Sequence, residues 1–145
     1  MVRLSRLTDY GIVVMSHMAA HRESIVTARE LSERSGLPLP TVSKVLKLLS
    51  KADLVESHRG VNGGYQLARE PGKICVTDMI DALEGPIAMT DCSIVDTNTC
   101  QLDQHCPVKG PWQKINLVVR GALSGLTLDD MSQSIPHGRK IGVSK

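Results

Sequence analysis

The feature that most constrains the fold is residues 41–51, a short segment with two chemically opposite faces. Apolar residues recur there at i, i+3, i+4 and i+7, which places them on one side of an α-helix. These residues are Val42, Val45, Leu46 and Leu49. The opposite side carries hydrogen-bond donors and no carboxylate, namely Thr41, Ser43, Lys44, Lys47 and Lys51. Such a helix buries one face in a core and presents the other to an anionic partner.

Short elements on both sides of this helix complete a DNA-binding arrangement. Upstream, Thr27 and Glu30 have the spacing of a capping box, and Gly36 ends the short helix that follows. Downstream, residues 54–58 and 65–68 predict two strands. The connecting run Arg59-Gly60-Val61-Asn62-Gly63-Gly64 contains the Gly and Asn residues that permit the positive φ of a hairpin turn. Two short helices and a hairpin, in this order, predict a winged helix-turn-helix whose second helix enters the major groove.

The residues expected to contact DNA lie on the second helix and at the hairpin tip. Arg59 is placed to enter the narrow minor groove. The helix contributes Thr41, Ser43, Lys44 and Lys47. Taken one by one, each has the alternative of an ordinary solvated surface residue. Charge supports the DNA-binding interpretation, because residues 1–73 carry 11 Lys and Arg against 7 Asp and Glu, whereas residues 74–145 carry 6 against 8.

Three more helices are predicted outside this arrangement. The first runs from about Thr8 to Arg22, and another runs from Thr77, taken as its N-cap, to Leu83. A long helix over residues 107–123 follows a cysteine-bearing loop, and the tail from Ile135 is expected to be mobile. The long helix has an apolar stripe at near-heptad spacing, Val108, Trp112, Ile115, Val119 and Leu123. The fold class is mainly α with a small β-hairpin wing, and Trp112 is expected to pack in a helix interface.

Composition limits the class of protein. With no Phe, one Trp and two Tyr, the core has to consist of aliphatic residues and Met, which suits helices better than a β-sandwich. Neither a signal peptide nor a membrane span is recognisable, so a cytoplasmic location is expected. We divide the chain into a DNA-binding head (1–73), a cysteine loop with the long helix (74–125) and a C-terminal segment (126–145).

The cysteine loop is ambiguous by spacing alone. Cys92, Cys100 and Cys106 follow one another by eight and six residues, which matches neither a zinc ribbon nor a ferredoxin. A metal site, a thiol–disulfide switch and scattered reduced thiols therefore all remain open. Cys75 lies apart, between Ile74 and Val76, and is expected to be a buried core thiol.

The helix-turn-helix and wing together resemble a known family. Residues 28–36 and 42–55 and the run from Arg59 to Leu67, with its Arg-Gly-x-x-Gly-Gly-Tyr motif, are similar to the IscR/NsrR family of bacterial winged-helix regulators. The resemblance covers roughly the first 125 residues. It implies that the long C-terminal helix forms a homodimer; from the sequence pattern alone, that helix equally suits the core of a monomer. The start Leu7-Thr8-Asp9-Tyr10 and the loop are most similar to regulators of the SUF cluster-assembly system.

The same resemblance implies an iron-sulfur cluster, of the 2Fe-2S or 4Fe-4S type, held by Cys92, Cys100 and Cys106. The step from the first cysteine to the second is eight here against the usual six, so the cluster type stays open. Some members take a fourth ligand from the first helix of the partner subunit, a position that Asp9 matches. His105 is the alternative ligand, and a surface role is the alternative for both residues. A branch with His three residues after the third cysteine is excluded, because that residue is Lys109.

The predicted function is a dimeric regulator, a repressor, that binds double-stranded promoter DNA and senses iron-sulfur status, oxidant or nitric oxide through the cluster. One alternative is a cluster-free thiol sensor on the same fold. Another is an iron-sulfur electron-transfer or carrier protein, which needs neither the lysine face nor the wing. An enzyme is not expected, because no nucleophile, base and orienting residue occur at a recognised spacing.

Overall fold

The computed structural model describes residues 3–94, 100–102 and 104–133. These residues contain six α-helices, two short 3₁₀ turns and one two-stranded antiparallel sheet. The helices are α1 (Arg6–Ala20), α2 (Ala28–Ser35), α3 (Leu39–Lys51), α4 (Val76–Leu83), α5 (Lys109–Ser124) and α6 (Leu128–Ser132). The strands are β1 (Val55–His58) and β2 (Gly64–Leu67). The mainly helical fold with a hairpin wing is thus confirmed, and the predicted tail from Ile135 lies outside the described residues.

Local capping explains where the first three helices begin and end. The Ser5 hydroxyl accepts a hydrogen bond from the Thr8 amide at 3.2 Å at the start of α1. The expected capping box of Thr27 and Glu30 starts α2, and Gly36 ends it with φ +76°. Helix α3 begins two residues before the predicted Thr41, with Pro40 in its first turn, where the missing amide costs no helical hydrogen bond.

The wing is a hairpin strengthened by a third piece of backbone. Val55 pairs with Leu67 and His58 pairs with Gly64. Val26, just before α2, exchanges two backbone hydrogen bonds with Tyr65, at 2.9 and 2.7 Å. The wing is therefore joined to the segment that leads into the helix-turn-helix, a contact that the sequence pattern did not indicate.

A single hydrophobic core connects the head with the later helices. The predicted stripe of α3 is fully buried, each of its four side chains being 0% exposed. It packs with α1 and with apolar residues of the second half of the chain. These later residues are Ile74, Val76, Met79, Ile80, Leu83 and Leu128. The aliphatic core expected from composition therefore extends well beyond residue 73.

Two local expectations were wrong and one helix was missed. Cys75, not Thr77, is the N-cap of α4, because the Asp78 carboxylate accepts the Cys75 amide at 3.0 Å; Thr77 is buried in the first turn. Cys75 is half-buried rather than a core thiol. Helix α6 begins at a capping box formed by Thr127 and Asp130, a signal that was present in the sequence.

Candidate functional site

The outer face of α3 is a cationic surface. Ser43, Lys44 and Lys47 are exposed, and Thr41 is half-buried at the start of the helix. Within the described part of the chain, neither lysine forms an ion pair with a carboxylate. Because the opposite face is locked into the core, these side chains point away from the protein and are available to an anionic partner.

The wing carries Arg59 at an exposed turn whose shape depends on glycine. The turn is closed by the Gly63 amide, which donates to the Gly60 carbonyl at 3.0 Å, and Gly60 has φ +112°. A Cβ on Gly64 would lie 2.6 Å from the Val26 carbonyl oxygen, where the wing contacts the preceding segment. The predicted glycine requirement is thus explained by the positive φ at Gly60 and by the lack of space for a side chain at Gly64.

A buried histidine lies between the first two helices. His17 of α1 is 6% exposed, and burial lowers its pKa, with further electrostatic lowering from His21 and Arg34 nearby. Its neutral form is therefore favoured in the folded head.

The cysteine loop begins next to α5. Cys92 lies in a single 3₁₀ turn, Asp91–Ser93, with its sulfur 3.1 Å from the Thr90 hydroxyl oxygen. The Gln113 side chain of α5 donates to the Cys92 carbonyl at 3.4 Å. Cys100 and Cys106 are also free thiols and half-buried. Residues 95–99 and 103 of the loop lie outside the described residues.

The candidate ligands match an iron-sulfur cluster in kind but are not gathered in the single chain. Asp9 is exposed in the first turn of α1, and His105 is exposed in the loop. Among residues 3–94, 100–102 and 104–133, no three His, Cys, Asp or Glu side chains are close enough to hold a metal ion. Three part-exposed thiols are suitable donors for iron.

Polar contacts that the sequence did not indicate attach the loop and α5 to the rest of the protein. The Met89 amide donates to Oδ1 of Asn116, the one α5 residue that is buried among those described. Arg120 forms a two-pronged ion pair with Asp81 of α4, at 2.8 and 3.3 Å. These pairs lie tens of residues apart in the chain, so no local pattern identifies them.

Glu84, the residue directly after α4, links α4 to the start of α1 by hydrogen bonds. Its carboxylate accepts hydrogen bonds from the Thr8 hydroxyl, at 2.7 Å, and from the Ser5 amide. These two hydrogen bonds, that of Thr8 first, lower the pKa of Glu84. The carboxylate is therefore charged at neutral pH and holds the start of α1.

No helix in the described ranges is both long and apolar enough to cross a bilayer.

Comparison with known proteins agrees with this arrangement. Residues 4–134 match the Rrf2 family, which is described as "Iron-dependent Transcriptional regulator". The transcriptional regulator IscR of Cronobacter sakazakii is 30% identical over 131 residues, 90% of this chain and 80% of that protein. The structure of T. potens IscR has a TM-score of 0.68 at 34% identity, covering 90% of this chain and 85% of the other. That of CymR, the global cysteine regulator of B. subtilis, has a TM-score of 0.70 at 27% identity, covering 91% and 97%. The chain belongs to the Rrf2 family of transcriptional regulators, and it is a DNA-binding regulator of the IscR/CymR type, not an enzyme.

Proposed function

We propose that this regulator is a homodimeric, cytoplasmic repressor in which α3 lies in the major groove of promoter DNA and the wing enters the minor groove. The observation that carries the DNA-binding part is the contrast across α3, which has one face 0% exposed and the other open and cationic. Lys44 and Lys47 contact phosphates or base edges, with Thr41 and Ser43 beside them. Arg59 reads the minor groove from the glycine turn.

The DNA contacts are tested by the salt dependence of binding. A duplex is first selected from a randomised pool by the wild-type protein, and its affinity is measured by fluorescence anisotropy at several salt concentrations. Replacing Lys44 and Lys47 together with Ala removes two cations from each head, four in the proposed dimer. The slope of log affinity against log salt should therefore fall by up to about 3.6. Lys73→Ala is the matched control, because Lys73 is exposed and lies outside α3 and the wing. Equal slopes for both variants would reject this interface.

The proposed dimer uses the outer face of α5. Many apolar side chains of this helix are exposed in the single chain, including Leu117 at 70% and Val118 at 68%. Val108, Trp112 and Ile115, at 37–47% exposed, form one apolar stripe with Val118 at its edge, whereas Leu117 lies on the opposite side of the helix. An apolar surface of this extent calls for a partner. A second copy of the chain can bury this surface, because two α5 helices, antiparallel or parallel, present the same apolar stripe to one another.

The proposed sensor is an iron-sulfur cluster on Cys92, Cys100 and Cys106, with Asp9 of the partner as the fourth ligand and His105 as the alternative. Support comes from the three free, part-exposed thiols, the likeness to IscR proteins and the description of the family as iron-dependent. When bound, the cluster supplies a redox- and nitric-oxide-reactive centre. The chain's own part is to hold the thiols on a loop that is attached to α4 and α5.

A cluster-free thiol sensor is the second candidate. It is favoured by the absence of gathered ligands among the described residues and by the likeness to the cysteine regulator CymR. Anaerobic purification, with iron and sulfide analysis and a visible spectrum, separates the two candidates. Coloured protein that contains both iron and sulfide supports the iron-sulfur sensor. A colourless, iron-free protein whose DNA affinity responds to thiol oxidation supports the thiol sensor.

A further inference from the structure

Two consecutive residues at the end of α4 hold the first turns of α1. Glu84 accepts the Ser5 amide and the Thr8 hydroxyl, and Thr8 is 0% exposed, so its hydroxyl depends on a partner within the protein. Leu83 lies against Gly11, where a Cβ would be 2.3 Å from the leucine Cδ1. A shift of the last turn of α4 relative to α1 therefore disturbs both contacts.

This end of α4 is also where the cysteine loop begins. Gly85 follows Glu84 with φ +99°, and four residues later the Met89 amide is bound by Asn116 of α5. Helix α5 is in turn fastened to α4 through Arg120 and Asp81. The loop is thus tied at its start to α4 and α5, and α4 is tied to α1.

We propose that Glu84 is a positioning residue that transmits the state of the cysteine loop to the DNA-binding head. The inference rests on the proposed sensing role of the loop, but it holds for either sensor chemistry. A change in the loop pulls on Glu84 and moves the first turn of α1. Helix α1 packs directly against both α2 and α3, so the movement reaches the helix that reads DNA.

The exposure of Glu84 suits this role better than a scaffolding role. Its side chain is exposed and contributes nothing to the hydrophobic core. If Glu84 lets go, the Ser5 hydroxyl, 3.1 Å away, still gives the buried Thr8 hydroxyl a partner, so the contact can be lost without unfolding the protein. The held turn also contains Asp9, the proposed partner-subunit ligand, whose amide donates to the Ser5 carbonyl at 3.2 Å. One contact therefore positions both the head and the candidate fourth ligand.

The test compares how strongly DNA affinity responds to the loop in wild-type and variant proteins. All carry Cys75→Ser, so that iodoacetamide alkylates only Cys92, Cys100 and Cys106 on the reduced full-length chain. With the duplex selected above, alkylation should change the wild-type Kd about fivefold or more. In Glu84→Ala the ratio of the Kd values after and before alkylation should shrink below about twofold. Glu84→Gln retains an acceptor oxygen and should recover most of the response.

Glu70→Ala is the matched control, since Glu70 is exposed and pairs only with Lys73 at 4.0 Å among the described residues. It should respond to alkylation as the wild type does. An undiminished response in Glu84→Ala would overturn the inference. So would a loss of response that Glu70→Ala shares.

A second measurement keeps this inference separate from the sensing proposal. Hydrogen exchange should show that DNA binding protects amides in residues 85–94 of the wild type and not in Glu84→Ala, because coupling between two sites is reciprocal. If alkylation leaves the wild-type Kd unchanged, sensing by the loop fails, and hydrogen exchange decides alone. Protection that is equal in both proteins, or absent from the wild type, would overturn the role of Glu84.

Discussion

Helices α3 and α5 have the same kind of amphipathic pattern, but their apolar side chains differ in exposure. The apolar stripe of α3 is 0% exposed, whereas α5 has a single buried residue among those described, and that residue is the polar Asn116. Helix α3 is covered by α1, α2 and α4. Helix α5 contacts the rest of the protein through hydrogen bonds, an ion pair and the half-buried Leu123, which packs against the core. Periodicity shows that a helix has an apolar face, and it does not show what covers that face.

The largest expected difference between the two helices is in stability. Leu46→Ala leaves a cavity in the core and should lower the free energy of unfolding by about 2–5 kcal/mol. Leu117→Ala makes the same change on α5, where the side chain is 70% exposed, and in dilute protein it should cost less than about 0.5 kcal/mol. Urea denaturation measures both. Similar losses in dilute protein would mean that α5 is covered within its own chain.

The second effect concerns self-association. Ile115→Lys puts a charge into the exposed stripe of α5 and should weaken the dimer at least about tenfold, because an unpaired charge would have to be desolvated. Sedimentation velocity over a range of concentrations measures this change. Ser124→Lys adds the same charge at the exposed end of α5 and should leave association nearly unchanged. A wild-type protein that stays monomeric would refute the proposed partner of α5.

A third, smaller effect separates the two faces of α3. Lys47→Ala, next to the buried Leu46, should leave the free energy of unfolding unchanged and cost about 1 kcal/mol in DNA binding, near fivefold. The loss should be similar for all duplexes, since a phosphate contact carries no base preference. Anisotropy titrations against several sequences measure it. A loss confined to one sequence would place Lys47 on a base edge instead.

The smallest expected effect is on the free energy of unfolding at acidic pH, and it comes from the buried His17. Burial, His21 and Arg34 lower the pKa of His17, so between its ordinary value and the lowered one the unfolded chain binds more protons than the folded chain. The free energy of unfolding should therefore fall as pH drops below about 6.5 and be unaffected by His17 above that. Chemical denaturation at a series of pH values measures the slope. In His17→Gln, which does not titrate, this part of the slope should disappear.

Much of the fold could be predicted from local sequence signals. The stripe of α3, the capping box of Thr27 and the glycine turn predicted the helix-turn-helix and wing to within about two residues, because each signal acts over a few positions. Helix α6, which was not predicted, also begins at a local signal, the capping box of Thr127 and Asp130. Cys75 replaced Thr77 as a cap because the carboxylate of Asp78 reached its amide.

The candidate site could be predicted only in part from local sequence signals. Residue types and order predicted Lys44, Lys47 and Arg59 as DNA contacts, and the family resemblance implied that the three loop cysteines are ligands. Those roles stay predictions. The contacts of Glu84 with Ser5 and of Asn116 with Met89 had no signal, because they join residues 79 and 27 positions apart. Such pairs form only when the core has already brought their helices together.

The sequence by itself determined which segments are helices, which face of α3 is apolar and where the wing turns, because these depend on side-chain period and backbone freedom over a few residues. Only the tertiary structure decided that the stripe of α3 is buried, that most of the stripe of α5 is exposed, and that Glu84 joins the start of the cysteine loop to α1. Burial of a stripe depends on which surfaces meet in space, and two amphipathic helices of similar pattern compete for one core of limited size. Helix α3 lies in that core, whereas α5 reaches it only through Leu123 among the described residues of its stripe and keeps Trp112 and Ile115 exposed.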